Sequence, residues 1–319
     1  MAKGISRRQW LNAGYRAAGG MGLSVAAGGF LHAKAGAQGA AVSGERCESG
    51  AGTSVLLGLG VQVHYREDWF GEPWAKPDAM LFIHGNLESA EVWYGWVPRM
   101  GRRFRLLRPD LPGFGQSTAP ADFDWSLANF ATVMAEYLDK MGVASAHIIG
   151  AKTGGAIAMQ FAASYPQRTK SVVVASGPFT PVDPKFENTP MKVRLGSSAT
   201  DDEVAYFEKM RSAMRPETRA GMAKLLSGVN MDSVLPKIQS PALVITSDHS
   251  ALQTVESVLQ HQPKIPNSRL LVLTSDAYHV AVANAEECVS NVLAFIEDSA
   301  MTRHAGQTVG WIQRDQIVG

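Results

Sequence analysis

The chain has 319 residues, 45% of them apolar and 18% charged, a balance that excludes a disordered chain, a collagen-like repeat and a coiled coil. A formal net charge of +1 gives no electrostatic case for a nucleic-acid partner. Two cysteines, Cys47 and Cys288, are too few for a disulfide framework, and no C-x-x-C pair points to zinc. No motif implies a metal or an organic cofactor.

The charge is uneven. Residues 1–37 hold Lys3, Arg7, Arg8, Arg16 and Lys34 and no acid, which leaves 25 basic against 29 acidic residues in the rest, a net of −4. A basic head, a Gly/Ala-rich apolar run from Ala17 to Leu31 and a small-residue close near Ala33–Ala37 form the three-part layout of an export signal. The head Ser6-Arg7-Arg8-Gln9-Trp10-Leu11 resembles a twin-arginine signal. The apolar run is too short and Gly-rich to span a bilayer, so the expectation is a periplasmic or otherwise exported protein with no stable membrane anchor after processing. The domains expected are 1–37 for the signal and 38–319 for the folded body. In an oxidising compartment Cys47 and Cys288 could pair.

Along the body, Val61–Tyr65 alternates and reads as an early strand. Ala79–Ile83 is a continuous apolar run ended by His84-Gly85-Asn86; runs without alternation suit strands buried on both faces. Arg105–Arg108 leads into a Gly/Pro-dense turn, Asp110 to Ser117. Ser126–Met141 carries Leu127, Phe130, Met134, Leu138 and Met141 at three- and four-residue steps, an amphipathic helix. His147–Ile149, Val172–Val174, Ala242–Ile245 and Leu270–Leu273 read as further strands. Gly155–Tyr165 reads as a buried helix. Asn284–Ile296 reads as a last helix, with Asn284 as cap and Glu287 three residues on. Strands alternating with helices predict a mainly parallel sheet covered on both faces. No strand signal falls between about 181 and 234, where Asp201–Met214 and Pro216–Val229 are charged amphipathic segments. That stretch reads as an inserted helical cap.

Three patterns then line up: His84-Gly85 after a buried strand, the Asp-x-Pro-Gly-x-Gly-x-Ser turn from Asp110 to Ser117, and Gly150-Ala151-Lys152-Thr153-Gly154-Gly155 between a strand and a helix. In this order, with the cap and a late histidine, the chain resembles the α/β-hydrolase superfamily from about residue 54 to 298. The resemblance implies an α/β fold with a mostly parallel sheet, flanking helices and a helical cap. Its site would lie under the cap at the C-terminal strand ends, with Lys152, His279 and Asn86 in one pocket. The oxyanion hole would be the backbone N–H groups of Asn86 and Thr153, and His279, after Leu270–Leu273, would be the catalytic histidine. Ser250 falls where the family commonly has its acid, and Asp248, two residues earlier, is the candidate replacement. Asp110 and Gly113 read as structural turn residues. Trp93, Tyr94 and Trp96 follow the oxyanion loop at helical spacing; core packing is the default, and Trp93 is a candidate pocket wall.

The centre of the elbow departs from the family's G-x-S-x-G, since Lys152 stands at the nucleophile position. An acylated lysine is an amide, which water attacks far more slowly than an ester, so the serine-esterase cycle does not fit. Three roles remain: a neutral amine forming a Schiff base, a protonated amine holding a carboxylate or enolate while His279 moves protons, or an inactive fold that binds a ligand. The expectation is an enzyme acting on a small carbonyl- or carboxyl-bearing substrate by hydrolysis, elimination or C–C cleavage through Lys152, His279 and Asp248; the alternative is a catalytically inactive ligand-binding protein.

Overall fold

A computed structural model describes residues 53–305. The segment expected to be an export signal, Cys47 and the residues after 305 lie outside them. Eight strands form one sheet in the order β1-β2-β4-β3-β5-β6-β7-β8. These are β1 (Thr53–Leu56), β2 (Gln62–Asp68), β3 (Ala79–Ile83), β4 (Arg105–Pro109), β5 (Ala146–Ala151), β6 (Thr169–Ala175), β7 (Ala242–Ser247) and β8 (Ser268–Leu273). The pairs β1/β2 and β2/β4 are antiparallel, and every other pair is parallel. The sequence shows no signal for β1, because its residues are mostly exposed at the sheet edge.

The central strands are apolar at every position because both faces are covered. Side chains alternate between two cores, as the period of two requires. Leu81, Ile83, Val172 and Val174 join the core under the helices Leu127–Lys140 and Thr153–Ser164. Phe82, Val173 and Ala175 join the core under the last helix, Ala285–Ala305, with Trp93 and Trp96. Ser126 caps the helix Leu127–Lys140 by accepting from Asn129 N–H at 3.2 Å. Asn284 precedes the last helix and its amide donates to Glu287 at 2.9 Å. Cys288 is buried, which pushes its thiol up to about 12.

The strand-free stretch between β6 and β7 is helical, with helices Met191–Leu195, Asp201–Ser212 and Pro216–Ser227. Thr200 and Glu203 form a capping box on the second, and Pro216 opens the third. The cap is tied to the sheet's loops: Arg194 O accepts from His279 N–H at 2.8 Å, Thr218 donates to Gly113 O at 2.8 Å, and Phe207 stands edge-on to the His279 ring with centroids 6.0 Å apart.

The turn from β5 into the helix Thr153–Ser164 is the sharpest feature of the fold. Lys152 has φ 54° and ψ −125°, a conformation non-glycine residues rarely adopt and one that costs about 1–3 kcal/mol. Its N–H is held by Ala175 O at 2.8 Å and its carbonyl by Gly155 N–H at 2.9 Å. Gly154 permits the turn, since a Cβ there would strike the carbonyl oxygens of Ile83 and His84. Backbone cannot step aside as a flexible side chain can, so Gly154→Ala should destabilise the protein by about 1–3 kcal/mol, read as a lower denaturant midpoint at unchanged slope. An unchanged midpoint would mean that the elbow relaxes freely.

Candidate active site

The loop after β3 and the elbow after β5 converge on one buried carboxylate. Glu88 is only 5% exposed. One of its oxygens, Oε2, accepts from Gly85 N–H at 3.0 Å. The other, Oε1, is ion-paired with Lys152 Nζ and lies 2.8 Å from His279 Nε2. Lys152 Nζ also donates to Asn86 O at 3.3 Å. Lys152 and His279 are 5% and 1% exposed. The His279 contact is close but off-line for a hydrogen bond, and neither ring nitrogen has a hydrogen-bond partner among the described residues. The loop is shaped for the purpose: Leu87 has φ 70°, and Asn86 Oδ1 takes the Leu87 N–H at 3.0 Å.

The electrostatics follow from this geometry. Burial pushes the Glu88 carboxyl up, but the facing His279 and Lys152 outweigh it and hold the group well below the usual carboxylate range. Burial pulls the Lys152 amine below its ordinary range, Glu88 opposes that pull, and nearby Arg194 adds to it. Burial likewise lowers the His279 imidazole, against Glu88 and with Lys152, so its neutral form is favoured. His84 is structural: Nδ1 donates to Gly85 O at 2.8 Å and Nε2 accepts from Leu111 N–H at 2.9 Å.

Lys152, Asn86 and Thr153 line one small cavity of about 70 Å³ under the cap, with Tyr278, Arg194 and Phe186. Thr153 is the first residue of its helix, where backbone N–H groups lack intrahelical partners. The structure therefore brings Lys152, Asn86 and Thr153 together on one cavity, and joins His279 to Lys152 through Glu88. Asp248 and Trp93 lie elsewhere. Asp248 Oδ1 accepts from Ser275 N–H at 2.9 Å and pairs with His249 at 2.6 Å, so it pins the β7 loop to the β8 loop and makes no contact with His279. The carboxylate on His279 comes instead from Glu88, on the loop after β3. Ser250, at the usual acid position, accepts from Leu252 N–H at 3.2 Å. Trp93 is fully buried against Phe82 and Trp96, with ring centroids 5.0 and 5.3 Å away, and is core rather than pocket wall. Asp110 binds the Ala90 and Gln116 amides at 2.7 and 3.0 Å, the turn role expected of it.

Sequence reasoning missed Glu88, Arg194 and Tyr278. A signal for Glu88 existed. A lysine buried at an elbow needs a carboxylate, and Glu88 lies two residues past Asn86 on the loop that faces the elbow. A larger cavity of about 180 Å³ lies beyond Glu88, beside Arg66, Asp110 and Arg215, but neither Lys152 nor His279 reaches it.

The family model for the α/β hydrolase fold matches residues 78–196. The chain is 31% identical to the bifunctional epoxide hydrolase 2 of Sus scrofa over 160 residues, 49% of this chain but 27% of that protein. So the chain spans about a quarter of that relative's length. It is 26% identical to a pimeloyl-[acyl-carrier protein] methyl ester esterase of Aeromonas hydrophila, across 69% of this chain and 95% of the relative. The enol-lactonase of Burkholderia xenovorans superposes with a TM-score of 0.67 at 20% identity, over 77% of this chain and all of that one; at that identity the likeness is one of fold. The sheet order, the elbow and the family match together show that the chain has the α/β-hydrolase fold. Among the described residues no helix is long and apolar enough to cross a membrane, and no cluster of His, Cys, Asp and Glu could hold a metal ion.

Removing the Glu88 charge strands a buried ammonium. Breaking such a pair costs about 3–5 kcal/mol, so Glu88→Gln should lower stability by that order, and Glu88→Gln with Lys152→Met should recover most of it. The sign with pH is fixed by the depressed Glu88 carboxyl. Its stabilisation is present above its unfolded value near 4.5 and is lost as pH falls through the lower folded value. The stability difference between wild type and Glu88→Gln, from denaturant melts across pH, should therefore shrink below about pH 4.5; a difference constant down to pH 3 would contradict the pairing.

Proposed function

We propose that the protein is an α/β-hydrolase-fold enzyme acting on a small carbonyl- or carboxyl-bearing substrate, with protonated Lys152 as its electrostatic group and neutral His279 as its proton-transfer group. The observation that carries this reading is the shared carboxylate: Glu88 Oε1 touches both Lys152 Nζ and His279 Nε2. Loss of the lysine proton would leave the Glu88 charge buried against a neutral imidazole, an arrangement that is strongly disfavoured. The Glu88 contact thus keeps the amine charged despite burial, which argues against the neutral amine of a Schiff-base route.

In this reading the amides of Asn86 and Thr153 and the Lys152 ammonium face the oxygen that gains charge, as an oxyanion hole does. His279 accepts a proton from water or from the substrate carbon beside the carbonyl, and returns it to the leaving group. The products are those of hydrolysis, elimination or C–C cleavage, with no covalent intermediate on the elbow. The likeness to an ester hydrolase, the Aeromonas relative, supports hydrolysis as the reaction class. A ligand-binding protein without turnover is the second reading, favoured by one observation: the buried Glu88 carboxylate is already engaged by both Lys152 and His279.

The test is a substitution series at the elbow, assayed on a panel of small esters, lactones and keto acids. Lys152→Ala should cost about 10²–10³ in rate on any substrate turned over, the usual loss for one oxyanion donor. Lys152→Arg should keep part of the activity, because arginine keeps the charge. Borohydride with a keto acid should leave no mass adduct on Lys152. A stable adduct would establish the Schiff-base route instead, and full activity in Lys152→Ala would refute the role of this residue.

A further inference from the structure

Next to Lys152, the same cavity holds a second buried cation that the proposed chemistry leaves unused. Arg194, in the cap helix Met191–Leu195, is 4% exposed and lines the cavity with Lys152 and Tyr278. Its Nε donates to Thr189 O at 3.3 Å, its Nη2 donates to Phe186 O, and its guanidinium carbon lies 5.9 Å from the Phe186 ring centroid. A guanidinium has five N–H donors, and these two carbonyls are the only acceptors that Arg194 finds among the described residues. No carboxylate forms a salt bridge with it there. Buried arginines are nearly always paired, so a buried, acid-free guanidinium on a cavity wall is an uncompensated feature.

The neighbouring charges leave that feature uncompensated. The charged and titratable groups that face Arg194 are Tyr278, Glu88, Arg211, Glu208, Lys152 and His279. Glu88 is already committed to Lys152 and His279. Glu208 lies 3.5 Å from Arg211, and Arg211 itself donates to the same Thr189 O at 3.2 Å. Of the acids on the cavity wall, Glu187 is held by Arg219. Asp183 sits at the exposed mouth with its oxygen on Lys185 N–H at 2.8 Å. Ionised Glu88, protonated Lys152, neutral His279 and Arg194 sum to one net positive charge at the site. One substrate anion would complete the set.

We propose that Arg194, assisted by the Tyr278 hydroxyl, is the anion-binding and specificity-determining group of the site, and that the substrate is a carboxylate whose carbonyl is presented to Lys152. This rests on the reading of Lys152 as the charged group of the reaction. Arg194 fits a carboxylate in particular because its planar fork matches two oxygens at once. The Tyr278 hydroxyl makes no hydrogen bond among the described residues and lines both this cavity and an adjoining groove of about 300 Å³, through which the rest of the substrate would extend. Because Arg194 O also accepts the His279 N–H, one cap residue both holds the anion and fixes the backbone of the proton-transfer histidine.

The experiment compares three ligands of one frame by calorimetry: levulinate (4-oxopentanoate), its methyl ester and its amide. The expected result is levulinate binding at least tenfold tighter than either neutral analogue. Arg194→Gln should remove that preference while leaving the neutral analogues within about twofold, and Tyr278→Phe should weaken levulinate several-fold. The paired variant Glu88→Gln with Lys152→Met should keep the preference. Equal binding of all three, or none by levulinate, overturns the proposal in the wild-type protein itself, whether or not Arg194→Gln folds. A preference that survives in Arg194→Gln but vanishes in the paired variant also overturns it, since the anion would then sit on Lys152. A preference that follows Arg194 while Lys152→Ala retains full turnover supports this anion site and removes only the mechanism assigned to Lys152.

Discussion

Everything at the site depends on one buried carboxylate. Glu88 is withdrawn from water on the loop after β3, where desolvation alone would neutralise it. It stays ionised because the Lys152 ammonium faces it and the Gly85 amide caps its other oxygen. The dependence runs both ways. Without Glu88 the lysine would be a lone buried cation at the start of a helix, where the partial positive charge of the dipole disfavours it. The carboxylate thus does for this lysine what a hydroxyl needs no help with in the usual elbow. It makes a charged residue tolerable at the most constrained point of the fold.

That point is constrained by backbone as well as charge. The elbow keeps Lys152 at a positive φ and presses its helix against β3 so closely that Gly154 has no room for a Cβ. The strain is held by bonds to β6 and to the helix itself. Such strain persists where surrounding structure over-determines it, and it is commonest at functional sites. The cap contributes Arg194 and Phe186 to the cavity and sets Phe207 against the His279 ring, so the elbow supplies one wall and the inserted segment another.

Much of this was legible in the sequence, for physical reasons that differ by element. The buried strands Ala79–Ile83 and Val172–Val174 announce themselves because both faces are covered and every residue is apolar. The elbow and the histidine loop were readable because a tight turn demands glycine and because order along the chain fixes position at the strand ends. The cap showed as a gap in strand signals with charged helical periods. The partner of His279 was not readable by the same route. Asp248 sits near the expected position along the chain, yet its carboxylate turns to the Ser275 amide, while Glu88 arrives from a loop nearly two hundred residues earlier. Periodicity carries no information about such long-range contacts. Arg194 was hidden for the same reason, since an arginine in a charged helical segment reads as solvated until packing shows that it is buried. Trp93 followed the default for an aromatic at helical spacing and lies in the core.

The central claim is that Lys152 is an ammonium held by Glu88. Nitrogen-15 NMR of selectively labelled lysine, with Lys152 assigned by its loss in Lys152→Met, observes that proton directly. Lys152 should show an ammonium shift at pH 7, moving toward the neutral amine in Glu88→Gln at the same pH. A neutral amine at pH 7 in the wild-type protein would contradict it.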